Sequence, residues 1–301
     1  MTPGAVDLVD LPGGTLRMGS TDHYQEEAPV VEVEIAPFRL GHHPVTNAEF
    51  SAFVDATGYV TVAERPLDGP EWNHLDPDER VPGSLVFTPT SGPVPLDDFR
   101  QWWRWLPGAS WRLPQGPDSR TRPRADHPVV HVAQEDAASY AAWAGGRLPS
   151  EAEHEWASRG GLVGATYAWG EELHPEGRLM ANTFQGDFPY RNRGANGFKG
   201  TSPVGRFGAN PYGLVDLIGN VWEWTSTPWT PDHSGTGTGQ TPASPCCGGA
   251  QPVPGQLGFV LKGGSHLCNP AYCLRYRPAA RSPQSPDSAT THLGFRVAAD
   301  G

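Results

Sequence analysis

A chain of 301 residues can bury one large core or two ordinary ones. Its net charge of −11 argues against a nucleic-acid partner, because binding phosphates needs a cationic surface. The 37 Gly and 32 Pro lean towards low complexity, but 11 Trp, 8 Tyr and 11 Phe spread along the chain supply the burial that a disordered chain lacks. These features together describe a folded protein poor in regular structure, with long loops pinned by aromatic side chains.

Met1 to Asp10 shows neither a charged n-region nor an apolar h-region, so no signal peptide is expected. No apolar run approaches the ~18 residues of a membrane span. Residues 14–20 and 30–41 read as strands; in the second, Val31, Val33 and Ile35 alternate with Glu32 and Glu34, the period of a half-buried strand. Thr46 with Glu49 forms a capping box, predicting a helix that buries Phe50 and Phe53 and stops near Gly58. A second helix is predicted from Gln134 to Ala144, ended by Gly145-Gly146. Ser150 with Glu153 opens a third, which stops at Gly160-Gly161. Between them, 65–128, 162–215 and 226–260 lack periodicity; loops this long inside a compact domain usually carry function or bind ions. No repeat and no dividing linker is visible, so residues 1–301 read as one domain.

All four cysteines, Cys246, Cys247, Cys268 and Cys273, fall in the last fifth of the chain. A disulfide-stabilised secreted domain would spread them more widely, so a reduced cytoplasmic protein is expected. Five residues apart, Cys268 and Cys273 could form a disulfide, sit as inert thiols or hold a metal together. Two thiolates alone suit Cu(I), whereas zinc would want four ligands and no second pair stands in register. The spacing by itself leaves these choices open.

The surroundings of that pair change the weighting. The segment GGSHLCNPAYCLRYRPAARSPQSPDSATTHLGFR closely resembles the C-terminal signature of formylglycine-generating enzymes, the sulfatase-modifying factors. So do LPGGTLRMGS, HPVTNAEFSAFVDATGYVT, HPVVHVAQEDAASYAAWAGGRLPSEAEHEWASRGG, ANTFQGDFP and NPYGLVDLIGNVWEW, in order from about residue 8 to residue 299, most like the actinobacterial members. The resemblance implies an α+β fold of low regular content, shared with C-type-lectin-like modules. It also implies a monomer that oxidises one cysteine of a client sulfatase, within Cys-x-Pro-x-Arg, to formylglycine and sulfide with O₂.

By that resemblance Cys268 and Cys273 bind Cu(I), Ser265 and Trp222 border the oxygen pocket, and Tyr272 lines it. Trp102 and Trp103 would line the client groove for its Pro, with His292 beside it. Structural calcium is implied as well. Its first site would take the Asn182 side chain, the Thr183 carbonyl, Asn196 and the Phe198 carbonyl. Its second would take Asp216, the Gly219 and Val221 carbonyls, and Glu223. Such mixed oxygen sets are what Ca²⁺ prefers, and Asn196 in place of the family's usual Asp should weaken the first site.

Departures from the family pattern concern the client. His292 replaces an Asn and Gln284 another; His292, His266 and His131 are expected to be structural and not copper ligands. Some members read the client Arg through acids that align here with Pro44 and Gly83. Asp68, Glu71, Asp76, Asp78 and Glu79 are the replacement candidates, although a charge run is usually a solvated face. Other functions share the fold, so function must come from the site. An iron-dependent sulfoxide synthase needs a three-histidine site, usually on an added helical bundle, for which nothing before residue 8 leaves room. A non-catalytic binding module would not need the cysteine pair.

Overall fold

The computed structural model describes residues 6–69, 76, 80–234 and 258–301. Two small sheets frame it. Strand β1 (Leu8–Leu11) and β13 (Ala298–Asp300) flank β4 (Phe38–Gly41), so the two ends of the chain pair antiparallel to one central strand. The second sheet runs β11 (Arg281–Gln284), β10 (Phe259–Lys262), β9 (Trp222–Pro228), β12 (Leu293–Gly294), with β12 parallel to β9. Two-stranded pairs complete it: β2 (Gly14–Met18) with β3 (Val31–Ile35), β5 (Gly83–Phe87) with β6 (Trp103–Pro107), and β7 (Gly186–Asp187) with β8 (Arg191–Asn192).

The strand expected over 30–41 is corrected to two. Ala36-Pro37 separates β3 from β4, and the two halves pair in different sheets. Proline has no N–H to give a ladder, which makes this the natural point for the chain to leave one sheet and join another.

The helices form where local chemistry predicts. Helix α1 (Asn47–Thr57) opens on the Thr46–Glu49 capping box and closes at Gly58, whose φ of 68° suits a residue without Cβ. Phe50 and Phe53 are buried, and both pack on Tyr140 of α2 (Gln134–Trp143), at 5.9 and 5.5 Å between ring centroids. Phe295 completes this aromatic core. In α3 (Glu151–Arg159) the Ser150 side chain accepts from the Glu153 N–H at 3.2 Å, and Glu153 Oε2 accepts from the Ser150 N–H at 2.7 Å. Ser150→Ala is expected to cost about 1 kcal/mol, read as a lower urea midpoint at unchanged m-value.

Irregular segments are held largely by buried ion pairs. Arg277 grips Glu27, Arg275 reaches Glu26, Arg281 pairs with Glu151, and Lys262 reaches Glu155, which also takes Arg159. The first four each tie a loop or strand to an element far away in sequence, whereas Arg159 and Glu155 pair within α3. Hydrogen-bonded partners of this kind compensate the high cost of burying a charge.

Candidate active site

Strand β10 ends at Lys262 and hands the chain to Gly263-Gly264, both at positive φ. A Cβ on Gly263 would meet the Leu217 carbonyl oxygen at 2.6 Å, and one on Gly264 would meet the Tyr276 backbone at 2.9 Å, so only glycine passes here without a shift. The loop that follows carries both cysteines. Ser265 organises it: its carbonyl accepts from the Cys268 N–H at 3.0 Å, its hydroxyl accepts from the Leu267 N–H at 3.2 Å, and its own N–H points at Cys268 Sγ at 3.4 Å. The Asn269 carbonyl then accepts from the N–H groups of Tyr272 and Cys273.

These turns bring the two sulfurs face to face at 3.3 Å. That is far beyond the ~2.05 Å of a disulfide, and both cysteines are unbridged and buried. Trp222, Tyr276 and Leu261 share their core cluster. Burial first, then the nearby Tyr167 and the two cysteines, push the Tyr276 phenol up, keeping it protonated beside the sulfurs.

An aromatic wall stands next to the loop. Tyr272 stacks on Phe188 at 4.5 Å and meets the Trp102 ring edge-on at 5.4 Å, while Trp103 lies 4.8 Å from the His292 ring. The indole N–H groups of Trp102, Trp103 and Trp222 are buried and find no acceptor among the described residues. Unsatisfied buried donors are rare, and three around one loop mark a place for polar guests.

A family model for the sulfatase-modifying factor enzyme 1-like domain matches residues 3–301. The chain belongs to this family. A formylglycine-generating enzyme of Mycobacterium tuberculosis is 59% identical over 98% of both chains, and one of Thermomonospora curvata is 45% identical over 98% of this chain and 94% of its own. A mouse relative named an inactive Cα-formylglycine-generating enzyme 2 is 38% identical, over 97% of this chain and 85% of its own. Among solved structures, PvdO from Pseudomonas aeruginosa aligns over the full length of both chains with a TM-score of 0.64 and 23% identity, a likeness of fold.

Against this sulfatase-modifying-factor frame, the remaining expected site residues fall into distinct places. His292 is buried, with Nδ1 2.6 Å from the Thr290 hydroxyl and its carbonyl accepting from the Trp222 N–H. His266 sets Nδ1 2.7 Å from the Asn220 carbonyl, and burial lowers its pKa to about 4, so it stays neutral. His131 bridges Ser84 and the Pro114 carbonyl. None of the three stands in a metal-ligand cluster among the described residues. Gly83 is buried in β5, where a Cβ would meet the Leu106 carbonyl oxygen at 2.6 Å, and Pro44 is buried too. Asp68 and Asp76 are exposed; Glu71, Asp78, Glu79, Cys246 and Cys247 lie outside the described residues.

The two oxygen-ligand sets differ in what else they hold. Asn182 donates to the Gly200 carbonyl, and its buried Oδ1 has no partner among the described residues; the adjacent Thr183 is buried. Asn196 occupies positive φ in the turn where Ala195 and Phe198 exchange backbone hydrogen bonds, so the Phe198 carbonyl already accepts one N–H. Asp216, also at positive φ, accepts the Gly205 N–H at 2.6 Å, and burial raises its pKa to about 6. Beyond Gly219 and the buried Val221, Glu223 is otherwise engaged. Arg296 meets both its oxygens at 2.6 and 2.7 Å, and His154 Nε2 lies 3.0 Å from Oε2.

Several positioning residues escaped the sequence reading. Asn269 sends its amide to the Phe184 and Gly186 carbonyls, and Phe184 N–H returns to the Cys268 carbonyl, clamping the cysteine loop to the β7 turn. Phe188, Leu267 and Phe184 supply the rest of the wall. Nothing in their spacing announces this, because every contact spans a long loop.

Proposed function

We propose that the protein oxidises a cysteine within Cys-x-Pro-x-Arg of a client sulfatase to formylglycine, using O₂ and a cuprous ion held by Cys268 and Cys273. The family includes a relative named inactive, so this reading rests on one observation: two buried, unbridged thiols facing each other across 3.3 Å beside an aromatic wall. The donor set fits the ion. Two soft sulfurs, with no three-residue cluster of His, Cys, Asp or Glu among the described residues, suit Cu(I) better than a four-ligand metal. When bound, the ion would supply a thiophilic centre with an open position and a one-electron relay to O₂; of the four electrons that take O₂ to water, two would come from the client cysteine as it becomes the aldehyde and two from a thiol reductant.

The chain's own residues do the positioning. The N–H of Ser265 orients Cys268 Sγ, and Asn269 fixes the loop so that both thiols keep their separation. The buried Trp102, Trp103 and Phe188 exclude water from behind, and the half-buried Tyr272 offers an aromatic face to the client's Pro. The indole donor of Trp222, without an acceptor among the described residues, would face the oxygen pocket. A reducing cytoplasm suits thiols that must stay unbridged. The test is to incubate the Cu(I)-loaded protein with a Cys-x-Pro-x-Arg peptide under air in the presence of a thiol reductant. Mass spectrometry should show thiol-to-aldehyde conversion; an unchanged peptide overturns the proposal.

For calcium, the fit is partial. Asn182 Oδ1 and Asp216 keep acceptor capacity open, and no Lys or Arg forms a salt bridge with Asp216 among the described residues. Glu223 is already neutralised by Arg296, which puts the weight of the second site on Asp216 and carbonyl oxygens. Calcium is expected to raise the melting temperature of the wild type, reversibly with a chelator, and to leave Asp216→Asn unmoved. Equal calcium responses in the two proteins would remove Asp216 from the site.

A further inference from the structure

Beside the cysteine loop lies a cavity of about 470 Å³ that the reaction above does not use. It shares walls with the site, since His266 and Leu267, just before Cys268, line it, as does Phe87, which packs on Trp103 at 5.9 Å and on Phe188 at 5.8 Å. Its charge is the reverse of the molecule's. In a chain of net charge −11, the described residues lining this cavity include Arg122, Arg124 and Lys199 and no Asp or Glu. It is therefore no place for the arginine of a client.

The interior carries polar atoms without partners. His127 Nε2, Trp111 Nε1 and Asn47 Oδ1 all belong to cavity-lining residues at least nine-tenths buried, and none has a hydrogen-bond partner among the described residues. The Thr201 hydroxyl lies 2.9 Å from His127 Nδ1; when it donates there, the imidazole proton sits on Nε2. Burial, first, holds this histidine neutral by lowering its pKa. In that tautomer two buried donors, His127 Nε2 and Trp111 Nε1, lie beneath a cationic rim, which favours an anionic acceptor. A lone buried carbonyl oxygen on Asn47 asks for an N–H donor. A carboxylate attached to a backbone amide offers both; an aprotic inorganic anion does not, and a protonated one such as hydrogen phosphate is separated by the competition below.

We propose that this cavity docks an acidic side chain of the client polypeptide, a few residues from the modified cysteine. The carboxylate faces Arg122, Arg124, Lys199, His127 and Trp111, and a client N–H meets Asn47 Oδ1. This rests on the reading that a client polypeptide reaches the cysteine pair. An extended chain advances ~3.3–3.6 Å per residue, so a flanking residue can span from the aromatic wall into the cavity.

Labelled Cys-x-Pro-x-Arg peptides with alanine, glutamate or lysine flanks on either side, titrated by fluorescence anisotropy into the full-length protein, test it. One glutamate-flanked peptide should bind about tenfold more tightly than its alanine counterpart at low salt, and the gap should shrink as salt screens it. Arg122→Ala with Arg124→Ala should close the gap and leave the alanine-flanked peptide unchanged. His127→Phe, which removes the buried donor but no charge, should narrow it. Equal binding of glutamate and alanine flanks, or a gap that survives the double arginine variant, overturns the proposal. So does inorganic phosphate displacing the glutamate-flanked peptide more strongly than a glutamate-only dipeptide does, which would make this a free-anion site. Aldehyde formation from the alanine-flanked peptide reports the oxidase reading independently. Its absence with the binding gap intact would remove the oxidase and keep the docking site; its presence with no gap would do the reverse.

Discussion

Cys268→Ser and Cys273→Ser are each expected to lower peptide conversion by more than about 100-fold and to abolish tight Cu(I) binding. Loss of an outer partner of a metal ligand already costs 10–100-fold in many sites, and loss of a ligand itself costs more. The chemical reason is softness: a neutral hydroxyl is a poor donor to a closed-shell cuprous ion, whereas a thiolate is a good one. Packing should suffer less. The serine hydroxyl is nearly the size of the thiol it replaces and can bond to the remaining sulfur, so destabilisation of about 1–3 kcal/mol is the upper range. Circular dichroism and thermal melting should therefore report a folded variant. A wild-type control separates ligand chemistry from packing. Mild oxidation of the metal-free protein should close the facing sulfurs into a disulfide and block conversion, and a thiol reductant should restore it. Undiminished turnover in either serine variant would refute the copper assignment.

Arg296→Ala is expected to be the most destabilising change away from the thiols. Glu223 and Arg296 are both fully buried and bonded through both carboxylate oxygens. Arg296 also donates to the Gly41 and Val215 carbonyls, so one side chain ties β9 to β4 and to the loop before Gly219. Breaking a buried pair by removing one partner costs about 3–5 kcal/mol, because the other charge is left uncompensated. For a chain this size that is a fall of roughly 10 °C in melting temperature.

The pH dependence gives this change a signature. Burial alone would raise the Glu223 pKa, but Arg296, and then His154, outweigh it and hold the carboxyl down at about 2, against an ordinary 4.5. Its stabilisation is thus fully present above pH 4.5 and is lost as pH falls through about 2. Without the guanidinium, burial is opposed only by His154. The deficit of the variant should be largest at neutral pH and shrink on acidification towards pH 5, as Glu223 takes up a proton. Pairing Arg296→Met with Glu223→Gln should recover part of the loss. A variant melting within a degree of wild type at neutral pH would show that the pair contributes little.

What local sequence could decide, it did decide. The capping boxes at Thr46 and Ser150 act within three residues of themselves, and both helices begin there. The alternation of Val31, Val33 and Ile35 marks a real strand, but alternation says nothing about which sheet follows Pro37. The hairpin of β5 and β6 was hidden inside a stretch read as aperiodic. Its partners, GSLVF and WRWLP, lack a clean two-residue period, and Trp102 turns inward onto Phe188 and Tyr272 and Trp103 onto His292, all far along the chain.

The cysteine pair shows the same division. Its residue types and the frame around them were fixed by the sequence, which also limited the chemistry to a bridge, inert thiols or a two-sulfur metal site. The tertiary structure decided that the sulfurs are buried and held 3.3 Å apart, because Asn269 reaches Phe184 and Gly186, and Ser265 turns the loop back on itself. It also assigned Glu223 to Arg296, and it gathered Arg122, Arg124, His127 and Lys199 around one cavity. Spacing along the chain cannot report such groupings. They depend on where long loops close, and that is set by pairs as distant as Arg277 and Glu27, 250 residues apart.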